Sequence, residues 1–222
     1  MLVDIHVHTR LSADSNAAVE QYLEANTRLA RGLDAICLTE HRLFPIESAL
    51  DREYARLSER YGVRLFKGVE ADTNLGHLLI FGVTPRMLRN FDFANRMLRA
   101  ESLIEAAHAE GGVAIPAHPF RDSGYGVKLA ELREKVGEAL AAVEAINGQN
   151  TGDQDRDALA AAEKLGLIAV AGSDAHFTTS RWFLTCATQL TNEVSTVEEL
   201  CAELRAGRAR PFRFPATAAK AL

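Results

Sequence analysis

Eight short apolar runs, separated for the most part by helical patterns, constrain the fold of this chain more than any other feature. The runs lie at about 2–7, 34–39, 63–69, 77–83, 112–116, 141–146, 167–172 and 183–189. The helical patterns span about 16–31, 46–61, 92–110, 126–138, 153–165 and 196–206, and glycine follows most of them as a C-terminal cap would. Such alternation implies parallel strands joined by helical crossovers, and therefore an α/β fold.

The chain shows no sign of a domain boundary. No segment rich in proline, glycine or serine divides its 222 residues, and there is no repeat of fixed period, no GxGxxG motif and no P-loop. At this length a single core is easily sustained. We therefore expect one domain over residues 1–222. Its sheet would be a closed or nearly closed barrel of about seven strands, or else an open doubly wound sheet.

The first apolar run, in the segment VDIHVHTRLSAD, contains two histidines two residues apart. Side chains alternate between the faces of a strand, so Asp4, His6 and His8 are predicted to share one face and the aliphatic residues the other. Two neighbouring imidazoles are poorly suited to a core and well suited to a metal ion. Asp4 is expected to orient an imidazole of this pair.

Ionisable residues recur at the ends of the other predicted strands, and of the seven histidines only His108 lies inside a helical pattern. The candidates are His6, His8, Asp14, Glu40, His41, Glu70, His77, His118, Asp174 and His176. In a parallel barrel the carboxyl ends of all strands open on one face, where such folds keep their active sites. His77 precedes its strand, so it reaches that face only if the strand runs antiparallel or enters from the top.

Each candidate alone also has a purely structural explanation. Asp14 could begin a helix, Glu40 could be a solvated charge, and Asp174 could occupy a turn. A separate structural explanation would be needed at each of six strand ends. One shared metal site explains all of them, so we favour it. Imidazole and carboxylate without thiolate suit Zn, Fe or Mn better than Ca, Mg or Cu(I). The ligands are too many for one four-coordinate ion, so we expect two or three ions with a bridging carboxylate, a cluster suited to displacement at phosphorus.

Composition limits the partners. A net charge of −5 and a pI near 5.8 disfavour broad binding to duplex DNA or anionic lipid, so we expect neither duplex nucleic acid nor a membrane as partner. Three widely spaced cysteines without a CxxC motif argue against a disulfide framework and for a cytoplasmic location. No apolar run reaches transmembrane length, and the N-terminus lacks signal-peptide features. The sequence gives no indication of the oligomeric state.

Five segments in order resemble the motifs of the PHP (polymerase and histidinol phosphatase) superfamily. They are DIHVHTRLSAD, LTEH, GVEAD followed by GHLLIFG, IPAHPFR and AGSDAH. The resemblance runs from Asp4 to His176 and is greatest to the small stand-alone members. It implies a distorted (β/α)7 barrel, similar to a TIM barrel, with a trinuclear metal centre at the carboxyl ends of its strands. In LTEH, glutamate stands where aspartate is more frequent, a change that is not expected to matter.

The resemblance also implies ligands for three divalent ions, which would be Mn, Zn or Fe. The implied sites are His6, His8, Glu70 and Asp174 for the first ion, Glu70 as the bridge with His77 and His118 for the second, and Asp14, His41 and His176 for the third. Asn147 and Asn150 are expected to fix loops. The loops expected to shape the pocket are 42–46, 71–76, 119–127 and 148–153.

The implied activity is hydrolysis of a phosphoester, in a small phosphorylated metabolite or short nucleotide, by a metal-activated hydroxide. Arg121 and Arg181 are predicted to hold phosphate oxygens, with a surface arginine as the alternative for both. His176 or His41 is the candidate proton donor to the leaving oxygen, although a metal-bound histidine is a poor donor and no general acid is assigned.

Two other functions stay open. One is a metal-dependent amide or lactone hydrolase, which an ordered lysine or a buried apolar pocket would favour, whereas arginines aimed at the metals would favour phosphate. The other is a non-catalytic, metal-stabilised accessory module. Such modules often lose ligands, and here every position of the family's ligand set is filled.

Overall fold

The computed structural model of the chain describes residues 1–29, 32–122, 126–177 and 182–215. Its strands are β1 (Leu2–Val7), β2 (Ala35–His41), β3 (Arg64–Thr73), β4 (Gly76–Phe81), β5 (Val113–Pro116), β6 (Ala142–Asn147), β7 (Ile168–Gly172), β8 (Cys186–Leu190) and β9 (Ala209–Arg213). Its helices are α1 (Val19–Thr27), α2 (Ser48–Tyr61), α3 (Pro85–Asn90), α4 (Ala100–Ala109), α5 (Leu129–Val136), α6 (Gly152–Leu165) and α7 (Val197–Arg205). All eight predicted runs form strands.

The strands form a curled sheet that closes most of a barrel. Seven of them are hydrogen-bonded in the order β5-β4-β3-β2-β1-β8-β9, and β6 pairs with β7 in a separate parallel ribbon. The segment after β7 returns to β1, because the His8 amide donates to the Ala175 carbonyl at 2.9 Å and the Asp174 amide donates to the His6 carbonyl at 2.7 Å. The predicted α/β fold, a distorted TIM-like barrel, is thereby confirmed.

The expectation of parallel strands throughout is only partly right. The pairs β1–β2, β2–β3 and β6–β7 are parallel, whereas β4 and β8 run antiparallel to their neighbours. The physical reason at β4 is that only Asn74 and Leu75 separate it from β3, and two residues can form a hairpin but not a helical crossover. This hairpin starts β4 at the end of the barrel where β3 finishes.

Strand β1 departs from simple alternation. Its register with β2 shifts between Asp4 and Val7. As a result Leu2 and Val7 pack in the same apolar cluster, although a period of two would place them on opposite faces. Val3 and Ile5 pack in a different cluster. The prediction that Asp4, His6 and His8 form one face of a regular strand is therefore wrong, because the irregularity redirects the side chains that follow it.

One predicted helix starts later than expected. Of the pattern at 92–110, only Ala100–Ala109 is helical. Before it, the carboxylate of Asp92 accepts the Ala94 amide at 3.1 Å, and the side-chain oxygen of Asn95 accepts the Met97 amide at 2.9 Å. Side-chain acceptors of this kind compete with helical hydrogen bonds and favour turns.

All three cysteines lie in the described part of the chain. Cys37, Cys186 and Cys201 are buried and free, as expected for a fold that does not rely on disulfides. They pack as small apolar side chains in the core.

Candidate metal centre

Six of the seven histidines meet at the end of the barrel where β1, β2, β3, β5 and β7 finish and where β4 begins. The exception is His108, an exposed residue in the last turn of α4. His77 reaches this end because β4 is antiparallel to β3. The sequence analysis required such an antiparallel strand if His77 was to join the other candidates. The candidate ligands fall into three groups of converging donor atoms.

The inner group consists of His6, His8, Glu70 and Asp174, all buried. The two Nε2 atoms of the histidines lie 3.0 Å apart, and each lies 3.2 Å from Glu70 Oε2 and 3.5 Å from Asp174 Oδ1. A tetrahedral ion with bonds of about 2.0–2.2 Å places its ligands about 3.3–3.6 Å apart. The quoted separations of 3.0–3.5 Å therefore come close to the spacing around one such ion.

Hydrogen bonds to the other ring nitrogens select the tautomers that such a site needs. His6 Nδ1 lies 2.9 Å from Glu144 Oε1, and an ionised carboxylate only accepts, so this nitrogen carries the proton. His8 Nδ1 lies 3.3 Å from Ser12 Oγ, whose own proton is donated to Glu40 Oε2 at 2.6 Å. In the neutral form of both imidazoles, Nε2 is therefore the unprotonated nitrogen, and both Nε2 atoms face the same point, which fits a shared cation.

The side group consists of Glu70, His77 and His118. Glu70 Oε1, the oxygen that faces away from the inner group, lies 2.7 Å from His77 Nδ1 and 3.1 Å from His118 Nε2. His77 Nε2 lies 3.3 Å from Asp72 Oδ1, which leaves Nδ1 as the nitrogen directed at Glu70. The carboxylate of Glu70 therefore faces two clusters of imidazoles, one with each oxygen.

The rim group consists of Asp14, His41 and His176. The Nε2 atoms of the two histidines lie 3.3 Å apart, and Asp14 Oδ2 lies 3.3 Å from the first and 3.5 Å from the second. His176 Nδ1 lies 3.0 Å from the Asp174 carbonyl, which can only accept, so its proton is directed away from the group. These donors are again spaced as ligands of one ion would be.

Unusual backbone conformations are concentrated at the same end of the barrel. Among the described residues, four that are not glycine have a positive φ: Arg42 (55°), His118 (32°), Asp174 (54°) and Leu184 (60°). His118 and Asp174 are candidate ligands, and Arg42 follows the candidate ligand His41. Such conformations are costly and tend to persist at functional sites, where the surrounding structure enforces them.

The electrostatics of the inner group favour positive charge on the imidazoles and negative charge on the carboxylates. Burial opposes a charged His6, but nearby carboxylates, Asp174 foremost, raise its pKa well above the usual value. Burial likewise opposes a charged His8, yet hydrogen bonds to Asp174 and Glu70 raise its pKa to about 9. The pKa values of Glu70 and Asp174 are held well below their usual range, against the effect of burial, chiefly by His6. The carboxylates that stabilise cationic imidazoles would also attract a metal cation held between neutral ones.

Glu144 is a site residue that the sequence analysis missed. It is fully buried in the apolar strand β6. Its carboxylate lies 2.9 Å from His6 Nδ1, accepts the His118 amide at 2.8 Å and accepts the Asn147 side chain at 2.9 Å. The available signal was a glutamate in the middle of an otherwise apolar strand, since buried charges are rare unless paired.

The role predicted for Asp4 is wrong. Its Oδ1 accepts the amides of Ser173 at 2.9 Å and His6 at 3.2 Å, so it holds two backbones together and orients no imidazole. Burial raises the pKa of this carboxyl to about 7. Glu144 makes the contact to the His6 ring that was assigned to Asp4, because the irregularity in β1 separates Asp4 from the face of the ligands.

Glu40 is buried rather than solvated. It accepts the Thr9 hydroxyl at 2.7 Å, the Thr9 amide at 3.1 Å and the Ser12 hydroxyl at 2.6 Å. Ser12 in turn accepts the His41 amide at 3.0 Å. Glu40 therefore anchors the loop that carries Asp14.

The two arginines predicted to hold phosphate have different outcomes. Arg121 lies at the site, where Nη1 is 2.9 Å from Asp174 Oδ2 and Nη2 donates to the Asn147 side chain at 2.7 Å. Its planar fork thereby fixes the carboxylate whose other oxygen belongs to the inner group. Arg181 lies outside the described residues.

The three groups line a cavity of about 580 Å³. Its wall contains three arginines, Arg42, Arg96 and Arg121, and no lysine among the described residues. Arg42 Nη1 lies 3.2 Å from Asp72 Oδ2. Arg96, in the segment between α3 and α4, was not predicted, because that segment was interpreted as helix.

Solved structures share this fold. The crystal structure of PsfC from Pseudomonas syringae is 20% identical, with a TM-score of 0.69 over 99% of this chain and 93% of that one. A two-domain protein from Bacteroides vulgatus, containing a predicted PHP-like metal-dependent phosphoesterase, is 17% identical, with a TM-score of 0.66 over 96% of this chain and 64% of that one. Endonuclease Q, in complex with a 27-mer duplex that carries an abasic lesion at the active site, is 16% identical, with a TM-score of 0.64 over 95% of this chain and 58% of that one. No curated protein matches the sequence significantly.

The expectation that excluded duplex nucleic acid as a partner is wrong, because endonuclease Q has this fold and is bound to a duplex. The physical reason is that a net charge of −5 is an average over the whole surface. Binding depends on the local arrangement of charge around the site, where the cavity wall contains three arginines among four acidic residues. With regard to membranes, no helix in the four described ranges is long and apolar enough to cross one.

The family model of the PHP domain matches residues 4–204. This range contains every residue of the inner, side and rim groups, and the order of the five motifs follows the order of the strands that bear them. Proteins of this family are in general metal-dependent hydrolases, and the overlapping clusters of imidazole and carboxylate donors, which are close enough together to hold metal ions, fit that description. The chain belongs to the PHP domain family.

Proposed function

We propose that this chain, acting as one domain over residues 1–222, is a phosphoesterase that hydrolyses a small phosphorylated metabolite or a nucleotide at a trinuclear metal centre. The observation that carries the proposal is the position of Glu70. One of its oxygens belongs to the inner group and the other to the side group, and the rim group adjoins them because His41 Nδ1 lies 3.0 Å from Glu70 Oε2. A single carboxylate between clusters of imidazoles is the arrangement expected of a bridging ligand.

The residues that would hold the ions are the inner group for one, the side group for the second and the rim group for the third. Divalent ions such as Mn, Zn or Fe would lower the pKa of a bound water towards neutrality and neutralise the phosphate. The chain itself fixes two of the donors, because Glu144 orients His6 and Ser12 orients His8.

Arg121 supports this centre through Asp174. Because its Nη1 is already 2.9 Å from Asp174 Oδ2, it would contact a phosphate oxygen only with its remaining donors. His176 and His41 act as ligands in this proposal, since each directs its Nε2 into the rim group. Neither is assigned as a proton donor to the leaving oxygen.

The cavity wall favours phosphate over an amide or lactone. Within the described residues the wall contains three arginines and no lysine. Guanidinium groups suit the oxygens of a phosphate, whereas an apolar amide or lactone would favour an apolar pocket. A metal-stabilised module without catalysis is disfavoured because all nine proposed ligand positions are filled and brought together.

The test is a hydrolysis assay with a panel of substrates. The panel contains aryl phosphate, aryl phosphodiester, phosphorylated metabolites, dinucleotides, an abasic duplex, and an amide and a lactone. We expect phosphate ester hydrolysis that EDTA abolishes and Mn restores, together with about three transition-metal ions per chain by elemental analysis. Cleavage confined to the amide or lactone would refute the proposal. A protein that binds no metal after reconstitution with Mn or Zn would refute the trinuclear centre itself.

A further inference from the structure

A run of hydrogen bonds connects the end of β9 with the metal centre through Asp155. This residue belongs to the first turn of α6 and is only 3% exposed. Its Oδ2 pairs with the guanidinium of Arg213, the last residue of β9. Neither Asp155 nor Arg213 is among the described residues that line the metal cavity. Any influence of this pair on the metal centre must therefore pass through other side chains.

A role in starting α6 does not explain why Asp155 is buried. Acidic residues are favourable in the first turn of a helix. Here, however, the helix already begins with a reciprocal cap, in which the Thr151 hydroxyl accepts the Gln154 amide at 3.3 Å and the Gln154 side chain accepts the Thr151 amide at 3.0 Å. Asp153, exposed in the same turn, supplies a negative charge without any burial. Because burying a charged pair carries a desolvation cost, the contacts of the Asp155 carboxylate point to a further role.

The other oxygen of Asp155 holds the two asparagines that were expected to fix loops. Oδ1 accepts the main-chain amide of Asn147 at 3.3 Å and the side-chain amide of Asn150 at 2.9 Å. Because an ionised carboxylate only accepts, the side-chain nitrogen of Asn150 faces Asp155 and its side-chain oxygen faces away. That oxygen lies 3.5 Å from Arg121 Nη2. Asp155 thus determines which end of the Asn150 amide is presented to Arg121.

The asparagines pass this constraint on to the inner group. Arg121 Nη2 donates to Asn147 Oδ1 at 2.7 Å, while its Nη1 lies 2.9 Å from Asp174 Oδ2. The side-chain nitrogen of Asn147 donates to Glu144 Oε2 at 2.9 Å and lies 3.3 Å from Asp174 Oδ2. Arg121 and Asn147 therefore hold both the candidate ligand Asp174 and the carboxylate that contacts the His6 ring.

We propose that Asp155 is a positioning residue of the metal centre. With Arg213 as its counter-ion it fixes the two asparagines, and they hold Arg121 in the orientation in which it binds Asp174. Asp155 itself contacts neither the ions nor the substrate. The inference rests on the metal centre of the proposed function but not on the substrate, so it can hold even if the protein hydrolyses no phosphoester.

The first experiment is Asp155→Asn, which keeps the size of the side chain but leaves one acceptor oxygen where the network needs two. We expect the affinity for Zn, measured by titration against a competing chelator, to fall by about tenfold. The matched control is Asp157→Asn, which makes the same change of charge at an exposed position of α6 and is expected to leave the affinity unchanged. Arg213→Lys, which keeps the charge of the counter-ion, is expected to retain most of the affinity. Unchanged affinity in Asp155→Asn would overturn the inference.

A double-mutant cycle with Arg121→Gln separates positioning from a general loss of stability or of negative charge. If Asp155 acts through Arg121, the double variant should bind Zn about as weakly as Arg121→Gln alone, because the same contact is lost only once. Should the two losses multiply in the double variant, Asp155 acts by another route and the inference is wrong.

A measurement on the metal-free protein tests the same link without any metal or phosphoester. Side-chain NMR of the arginines, assigned with Arg121→Gln, gives the rate at which the two Nη groups of Arg121 exchange. We expect faster exchange in Asp155→Asn and in Asn150→Ala, which breaks the link while leaving the buried pair intact and decides the question if Asp155→Asn does not fold. Equal exchange rates in the wild type and these variants would overturn the inference, whereas a lack of phosphoester hydrolysis would count against the proposed function alone.

Discussion

The inner group and the rim group use the same ligand types in very different surroundings. In the inner group the side chains of His6, His8, Glu70 and Asp174 are at most 2% exposed. In the rim group those of His41 and His176 are 15% and 13% exposed, and that of Asp14 is 58% exposed. The candidate ligands therefore extend from the core of the barrel to its surface.

The two groups are also held in place differently. The inner group is attached to strands and contacts Glu144, itself buried in β6. In the rim group Asp14 belongs to a loop, and its position depends on the anchoring of that loop by Glu40. This difference indicates that the three metal ions would not be equivalent. We expect the inner site to bind its ion most tightly and the rim site to exchange its ion most readily. The reason is that buried donors with fixed tautomers lose less conformational freedom when they bind an ion.

The largest effect is expected for Glu70→Gln, which removes the charge that the inner and side groups share. The variant keeps the size of the side chain but cannot bridge two ions as a carboxylate does. We expect turnover to be abolished and ions to be lost from both groups, measured by elemental analysis and by hydrolysis of aryl phosphate. Glu59→Gln, on the exposed surface of α2, is the control. Full metal content in Glu70→Gln would show that this carboxylate is not the bridge.

A smaller effect is expected when a partner of the inner group is altered. Glu144→Gln can still accept a hydrogen bond from His6 but loses the charge. We expect metal affinity to fall by about ten- to a hundredfold, as is typical when partners of metal ligands are changed. The measurement is metal titration against a competing chelator, with the melting temperature recorded to confirm folding, and Glu138→Gln, which is fully exposed, as the control. Unchanged affinity would contradict the role assigned to Glu144.

The rim group provides the sharpest contrast with the inner group. His176→Ala removes one ligand of the rim group and none of the inner or side groups. We expect one ion to be lost per chain and some activity to survive, more readily on an aryl ester with a good leaving group. His108→Ala, the histidine outside the centre, is the control. If His176→Ala empties the whole centre, the groups are not separable and the comparison of inner and rim sites fails.

The smallest effect is expected for Glu40→Gln, which weakens the anchor of the Asp14 loop without touching a donor atom. Hydrogen bonds to a charged acceptor are stronger than those to a neutral one, so the loop should loosen. We expect the affinity of the rim ion to fall by about tenfold and that of the inner ion to fall less, because Glu40 also holds the Ser12 hydroxyl that faces His8. Glu47→Gln, an exposed residue before α2, serves as the control. A loss confined to the inner ion would mean that the loop does not control the rim group.

Much of the site could be predicted because its ligands follow strands in order along the chain. His6, His8, His41, His118 and Asp174 lie at or just beyond strand ends, and parallel strands that end together bring such residues to one face of a barrel. The assignment of all nine candidates to three groups came from the resemblance to the PHP superfamily. That grouping stays a prediction, because the same donors also fall into other clusters, such as His8 with His41 and His176.

What the sequence missed depends on packing between distant segments. Glu144 could not be assigned to His6 because 138 residues separate them and only the closure of β6 and β7 onto β1 brings them together. The position of Arg96 in the cavity wall was not predicted, because its segment was assigned to a helix. Nothing in the apolar pattern indicated that the side chains of Asp92 and Asn95 would form turns there instead.

The sequence by itself determined the fold class, the chemistry of the donors and the end of the barrel at which they meet, because periodicity and the order of motifs are local properties of the chain. Only the tertiary structure decided which face His6 occupies, that β4 is antiparallel and so brings in His77, and that Arg121 is engaged by Asp174 while Arg96 is not. These depend on strand register, on chain direction and on contacts between residues far apart in sequence, none of which has a local signature.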